Sequence, residues 1–291
     1  MSGTAEPYLA SPSATLEILQ RYGLHTQKKY GQNFLIDAHI PEKIREAAQI
    51  GESDNVIEIG PGIGTLTQFL AQKAGHVTAV EIDTHLIPVL EETLSEYEGV
   101  RILQGDILKL KPEELLSDGQ GEGELKVVAN LPYYITTPVL MWLLESDLPL
   151  SSCTVMVQKE VADRIQASPG SRDYGALSLA VQYYTEPREV LQVPPSCFLP
   201  KPNVGSSVVH MKLRNREERL PREEESRLFR VIRAAFSQRR KTLYNALRNR
   251  EGALWTKEEI ARSIAACGFR EDIRGEALSL EDFIRLSGEL G

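Results

Sequence analysis

The sequence predicts an α/β protein: a doubly wound, mostly parallel sheet of seven strands, followed by a small all-helical domain. Three observations carry this. Short apolar runs recur, and the chain places an acceptor at the end of four of them: Glu58, Glu81, Asp106 and Asn130. Strands covered on both faces read as near-continuous apolar stretches, and in open α/β sheets ligands gather at their carboxyl ends. A glycine turn, Gly60-Pro61-Gly62-Ile63-Gly64, joins one such run to a helical pattern, an arrangement that brings a ligand to a helix N-terminus. Around Asn215–Glu225 the composition turns highly charged, and helical periodicity follows. The expected divisions are 1–23 (tail and short helix), 24–214 (sheet domain) and 215–291 (helical domain).

Composition bounds the function classes. A chain of 291 residues suffices for one large domain or two ordinary ones. Cys153, Cys197 and Cys267 lie far apart without a Cys-x-x-Cys pair, which argues against a disulfide framework, a redox pair or a metal site. The N-terminus lacks a basic start with an apolar core, and no apolar run reaches spanning length. No membrane partner and a cytoplasmic location are expected. The net charge of −8 speaks mildly against nucleic acid, but distribution outweighs the sum. From Arg227 to Arg250 there are eight basic residues and no acidic one. The bland alternative is a solvated helix face; the lack of acids favours a phosphate-binding surface.

Taken in order, residues 1–12 are rich in Ser, Pro and Ala and read as a mobile tail. Thr15–Tyr22 reads as a short helix. Gln27–Leu35 mixes cations, amides and aromatics, including Lys28, Lys29, Gln32, Asn33 and Leu35, and reads as an ordered loop of the kind that touches a ligand. Pro41 opens a helix at its first position, where proline is tolerated. Asn55–Ile59 is a strand, the glycine turn follows, and Thr65–Ala74 is a helix. A dinucleotide fingerprint needs glycine where Thr65 stands. Glu81, ending the next strand about 20 residues past the first glycine, is placed to hold ribose hydroxyls. Val100–Gln104 is the third strand, and Asp106 after it suits either an adenine amino group or a turn. Lys126–Ala129 is the fourth, and Cys153–Gln158 the fifth. Glu189–Val193 and Ser206–Leu213 close the sheet. Between them, a proline-rich stiff loop carries Phe198, either a core plug or a stacking face. The C-terminal helices are expected around Leu228–Ala235, Lys241–Asn249, Thr256–Cys267 and Ser279–Leu290, with capping boxes at Thr256/Glu259 and Ser279/Asp282.

The stretch Asn130-Leu131-Pro132-Tyr133-Tyr134 is suited to gripping a planar amine. The Asn130 oxygen accepts one N–H, a neighbouring carbonyl of Leu131 or Pro132 accepts another, and an aromatic ring stacks on the base.

Together these segments resemble a known family, the ribosomal RNA adenine dimethyltransferases, over nearly the whole chain. The likeness runs through Gly31-Gln32-Asn33-Phe34-Leu35, Glu58-Ile59-Gly60-Pro61-Gly62, Glu81-Ile82-Asp83, Gly105-Asp106, Asn130-Leu131-Pro132-Tyr133, Phe198-Leu199-Pro200-Lys201-Pro202 and Ala235-Phe236-Ser237-Gln238-Arg239-Arg240-Lys241-Thr242. The tail resembles the bacterial small-subunit branch. The resemblance implies a Rossmann-like class I methyltransferase sheet and S-adenosylmethionine as methyl donor. It implies that Gly60 and Gly62 approach the methionine part, Glu81 holds the ribose, Ile82 and Ile107 pack on the adenine, and Asp106 binds its amino group. Gln32, Asn33 and Leu35 would close over the cofactor, beside Asn130. The implied substrate is a pair of adjacent adenines in a hairpin loop near the 3′ end of 16S rRNA, within a pre-small-subunit particle, each methylated twice on N6. The expected catalytic group is Asn130, Leu131, Pro132, Tyr133 and Phe198. The expected RNA contacts are Lys28, Lys29, Arg233, Arg239, Arg240, Lys241 and Arg248, on a monomer. Large-subunit rRNA or DNA adenine, an assembly checkpoint role, and a nicotinamide-dependent oxidoreductase are the rival readings. Thr65 and the Asn-Leu-Pro-Tyr turn count against the last.

Overall fold

The computed structural model describes residues 6–24, 32–116, 123–238, 240–248 and 254–291. Among the described residues nine strands form: β1 (Phe34–Leu35), β2 (Asn55–Ile59), β3 (His76–Glu81), β4 (Val100–Gln104), β5 (Leu125–Asn130), β6 (Leu150–Gln158), β7 (Thr185–Val193), β8 (Phe198–Leu199) and β9 (Ser206–Leu213). Seven of them make one sheet in the order β4-β3-β2-β5-β6-β9-β7. Strands β2 to β6 pair in parallel, and β9 runs antiparallel to β6. The order reverses between β2 and β5, so the two chains leave the sheet in opposite directions there and open a crevice at their carboxyl ends. The strand pairing agrees with the doubly wound, mostly parallel sheet expected from the sequence.

Twelve helices accompany the strands among the described residues. In the first two-thirds of the chain they are α1 (Pro12–Arg21), α2 (His39–Ala47), α3 (Thr65–Ala71), α4 (Ile87–Thr93), α5 (Pro112–Leu115), α6 (Thr136–Glu145), α7 (Lys159–Gln166) and α8 (Ala176–Tyr184). They are followed by α9 (Arg222–Ala235), α10 (Leu243–Arg248), α11 (Lys257–Ala266) and α12 (Leu280–Glu289). Val56, Val77, Val128, Met156 and Val208 form one face of the sheet and pack with Ile40, Ile44, Leu66 and Leu70 from α2 and α3. All five residues of β2 are buried, as two-sided cover requires. At the amino ends of the strands, the Lys126 ammonium is buried and meets Asp54 at 2.7 Å and the Gln49 carbonyl at 2.8 Å.

Several expectations need correction. The tail is not mobile where it is described. Leu9 is fully buried beside Phe34 and Ile63, and the Tyr8 N–H donates to Gln68 Oε1 at 3.1 Å. Helix α1 starts at Pro12, three residues early, because Ser11 caps it through the Ala14 N–H. Pro41 stands two residues inside α2, still within the first turn where its missing N–H costs no helical bond. The Phe34–Leu35 part of the expected loop is a strand paired antiparallel with Phe198–Leu199. Helices α4 and α5 were not foreseen; each carries a proline at its start.

The chain divides into two compact units, Met1–Ala162 with Arg188–Leu213, and Asp163–Pro187 with Arg214–Gly291. The second resumes one residue before the expected start of the helical domain, and it also takes residues 163–187, which the sequence reading left with the sheet. An aromatic cluster explains this. Tyr184 stacks on Phe229 at 5.3 Å, and the Tyr183 and Tyr184 hydroxyls both donate to Glu225. Thr256 and Ser279 cap α11 and α12 through the expected capping boxes.

The burial of Leu9 gives a direct test. Leu9→Ala should destabilise the protein by about 2–5 kcal/mol, read by urea unfolding, whereas a mobile tail would leave the midpoint unmoved.

Candidate active site

One cavity opens at the crevice between β2 and β5. Its wall includes Gln32 to Leu35, the glycine turn, Glu81-Ile82, Gly105-Asp106-Ile107 and Asn130 to Ile135. Every cofactor-binding residue expected from the sequence lines it, as do Leu131, Pro132 and Tyr133. Gly60, Gly62 and Gly64 have φ of 70°, 63° and 92°, backbone that side chains rarely adopt. The turn is therefore made of glycine by necessity. A Cβ on Gly64 would come within 3.1 Å of Leu94 and Thr93, so the close-packed glycine precedes α3, and Thr65 can open the helix.

Three carboxylates, Glu58, Glu81 and Asp106, line the cavity, and no Lys, Arg or His stands among its described residues. Glu58 is 1 % exposed, and its Oε2 has no hydrogen-bond partner among the described residues. Burial pushes its carboxyl up to about 8, opposed by the nearby Thr67 hydroxyl and helped by the neighbouring Glu81 charge. Burial likewise pushes Glu81 up to about 7, opposed by the backbone N–H groups of Asp83 and Gly62. A bound cation would draw both acids back towards their ionised forms. Of the two roles the sequence suggested for Asp106, the turn role is the one seen. Its Oδ1 accepts the Leu108 N–H at 3.1 Å as a turn residue, while it faces the cavity. Ile82 is 41 % exposed at the rim, an apolar surface on which a flat ring can lie.

The strap before β1 ties the two lips of the crevice. The Gln32 amide donates to Asp83 Oδ2 at 3.1 Å, and Asn130 Nδ2 donates to the Asn33 carbonyl at 3.3 Å. The second bond fixes the Asn130 amide with Oδ1 left as an acceptor, for which no donor exists among the described residues. Of the two carbonyls the sequence offered, that of Pro132 already accepts the Ile135 N–H at 3.2 Å and the Thr136 hydroxyl at 3.1 Å. Among the described residues the Leu131 carbonyl has no such donor. Tyr133 is partly buried with its hydroxyl 2.8 Å from Ser206 Oγ.

Phe198 resolves as the core plug. It is 2 % exposed, packs with Leu35 and Val208 and does not line the cavity. The β1–β8 pairing holds it inward. Lys28, Lys29 and Arg239 lie outside the described residues. Arg233, Arg240, Lys241 and Arg248 are exposed in the second unit. Sequence reasoning missed Asp83, Thr136 and Ser206, because only folding brings them to Gln32, Pro132 and Tyr133.

Strand order and crevice together put the protein among the class I methyltransferases. Known proteins narrow that class. A sequence model described as ribosomal RNA adenine dimethylase matches residues 23–267. "Ribosomal RNA small subunit methyltransferase A" of Lachnoclostridium phytofermentans is 53% identical over 281 residues, covering 96% of this chain and 97% of that protein. The protein of the same name from Listeria monocytogenes is 46% identical, covering 97% of each. Among solved structures, a dimethyladenosine transferase from Plasmodium falciparum superposes with a TM-score of 0.73 at 25% identity, over 87% of this chain and 95% of that one. The 23S rRNA methyltransferase ErmE superposes with a TM-score of 0.65, also at 25% identity, over 89% and 99%. The chain belongs to the ribosomal RNA adenine dimethylase family.

The buried Glu58 predicts a pH dependence. Its folded pKa lies above the ordinary 4.5, so the folded state holds a proton that the unfolded state has released. Stability of the ligand-free protein should therefore fall as pH rises from about 4.5 towards 8 and level off above. Glu58→Gln should flatten that fall and exceed the wild type by more than about 1.4 kcal/mol at pH 8, the worth of one pKa unit. Denaturation series at pH 5 and pH 8 decide it; equal slopes for both proteins would refute the assignment.

Proposed function

We propose that this enzyme transfers methyl groups from S-adenosylmethionine to N6 of two adjacent adenines in a hairpin loop near the 3′ end of 16S rRNA, giving N6,N6-dimethyladenosines. The small-subunit relatives are 46% and 53% identical over nearly the full length, whereas the 23S enzyme is 25% identical. That ordering favours the small-subunit substrate. The reading extends to a monomer that meets its RNA in a precursor particle in the cytoplasm.

The cleft suits the cofactor. When bound, S-adenosylmethionine supplies a methyl group on a positively charged sulfur, which an acid-lined cavity without basic residues favours. Glu81 would hold the ribose hydroxyls, Asp106 the adenine amino group, and Ile82 and Ile107 the ring. Gly60 and Gly62 would admit the methionine part, with Gln32, Asn33 and Leu35 closing over it.

The single observation that carries the chemistry is the orientation of Asn130. An exocyclic adenine amine is a poor nucleophile because its lone pair is conjugated with the ring. Asn130 Oδ1 and the Leu131 carbonyl are two acceptors for its two N–H groups. Held by both in the first transfer, and by one acceptor through its single remaining N–H in the second, the amine turns its lone pair out of the ring plane towards the cleft; each N–CH3 bond would form as the S–CH3 bond breaks, with one N6 proton released to solvent. As N6 becomes positive, the same acceptors and the Tyr133 face stabilise it. The target base leaves its stack to reach them. The exposed Arg233, Arg240, Lys241 and Arg248 would meet phosphates, and Lys28, Lys29 and Arg239 would be further RNA contacts.

Mass-spectrometric mapping of N6,N6-dimethyladenine in small-subunit rRNA is the test. The modification should vanish in a strain lacking this protein and return on complementation; its persistence would sink the reading. Asn130→Ala should lose methyl transfer by at least about 10²-fold, well beyond any fall in cofactor affinity from losing its bond to the Asn33 carbonyl, measured by radiolabel transfer and calorimetry. Reversing Arg233, Arg240 and Lys241 to Glu should weaken RNA binding and flatten its salt dependence by roughly one unit of slope per lost phosphate contact.

A further inference from the structure

Tyr133 is held at both ends. At the backbone end, the Pro132 carbonyl takes two donors and stiffens the turn. At the ring end, the hydroxyl lies 2.8 Å from Ser206 Oγ. Ser206 is 2 % exposed and is the first residue of β9, in register with Gln158 of β6. Its neighbours are fixed as well. The Lys159 N–H donates to the Gly205 carbonyl at 3.0 Å, and the Ser207 hydroxyl donates to Glu189 at 3.2 Å. The hydroxyl of Ser206 therefore comes from the rigid antiparallel part of the sheet, while Tyr133 lines the cavity.

Stacking on a base needs only a ring face, which phenylalanine would supply equally. A phenol bonded to a buried serine adds nothing to stacking itself; it sets which way the ring faces. Burial also pushes the phenol up from its usual range, so it stays a neutral hydrogen-bonding group at physiological pH. We propose that Ser206 is a positioning residue for the target adenine: its hydroxyl locks the Tyr133 ring as the stacking wall beside Asn130. The inference rests on the reading of Tyr133 given under the proposed function.

The test is a double-mutant cycle of Ser206→Ala and Tyr133→Phe, with 3-fluorotyrosine NMR on the full chain. Each single variant should lose about 3- to 10-fold in kcat/KM for the RNA, the worth of one neutral hydrogen bond. Cofactor affinity should stay within about twofold, and the double variant should be no worse than either single one. The Tyr133 fluorine resonance, identified by its absence in Tyr133→Phe, should shift or broaden in Ser206→Ala. Losses that multiply, an unchanged kcat/KM, or a matching fall in cofactor affinity would overturn the proposal. If Ser206→Ala does not fold, Tyr133→Phe breaks the same bond from the ring side, and an undiminished kcat/KM there overturns it too. Wild-type protein that fails to methylate small-subunit RNA would refute the substrate reading alone. The fluorine spectrum still decides the anchor, and an unmoved Tyr133 resonance would reject it.

Discussion

The geometry of the crevice depends on one hydrogen bond, from Asn130 Nδ2 to the Asn33 carbonyl. In energy it is modest, about 1 kcal/mol net for a bond of this kind. Its weight lies in direction. A primary amide has one donating and one accepting end. Rotated by half a turn, Asn130 would present N–H groups to an amine that also donates, and the site would repel what it must hold. The strap that supplies the carbonyl is itself held by Gln32 on Asp83 and by the short pairing of β1 with β8. Orientation at the end of β5 is thus set by residues nearly a hundred positions earlier.

The two edges of the sheet treat buried ionisable groups in different ways. At the amino ends, Lys126 and Asp54 neutralise each other, as buried ions generally do. At the carboxyl ends, Glu58 is buried and its Oε2 has no hydrogen-bond partner among the described residues. A fold selected for stability alone would not keep such a group. Its cost falls in the cleft wall, beside Glu81.

Much of this was legible in the chain because it is local. Strands β2 to β5, the glycine turn and the acceptors Glu81, Asp106 and Asn130 declare themselves by short patterns. What escaped depends on pairs distant in sequence. The β1–β8 pairing joins two dipeptides more than 160 residues apart, too short to show periodicity. It also settles Phe198, since a ring on that strand points into the core. The choice of the Leu131 over the Pro132 carbonyl required Thr136 and Ile135 to be seen donating. The amino-terminal stretch looked mobile because Ser, Pro and Ala dominate it; a single leucine, Leu9, carries its packing.

That leucine has a wider reach. The Leu9 and Tyr8 amides converge on Gln68, Gln68 donates to the Thr93 carbonyl, and the Thr93 hydroxyl donates to the carbonyl of Ile63 inside the glycine turn. A relay of four hydrogen bonds thus connects Tyr8 and Leu9 to the backbone that would cradle the methyl donor. Deletions that reach Tyr8 and Leu9 should therefore be felt at the floor of the cavity.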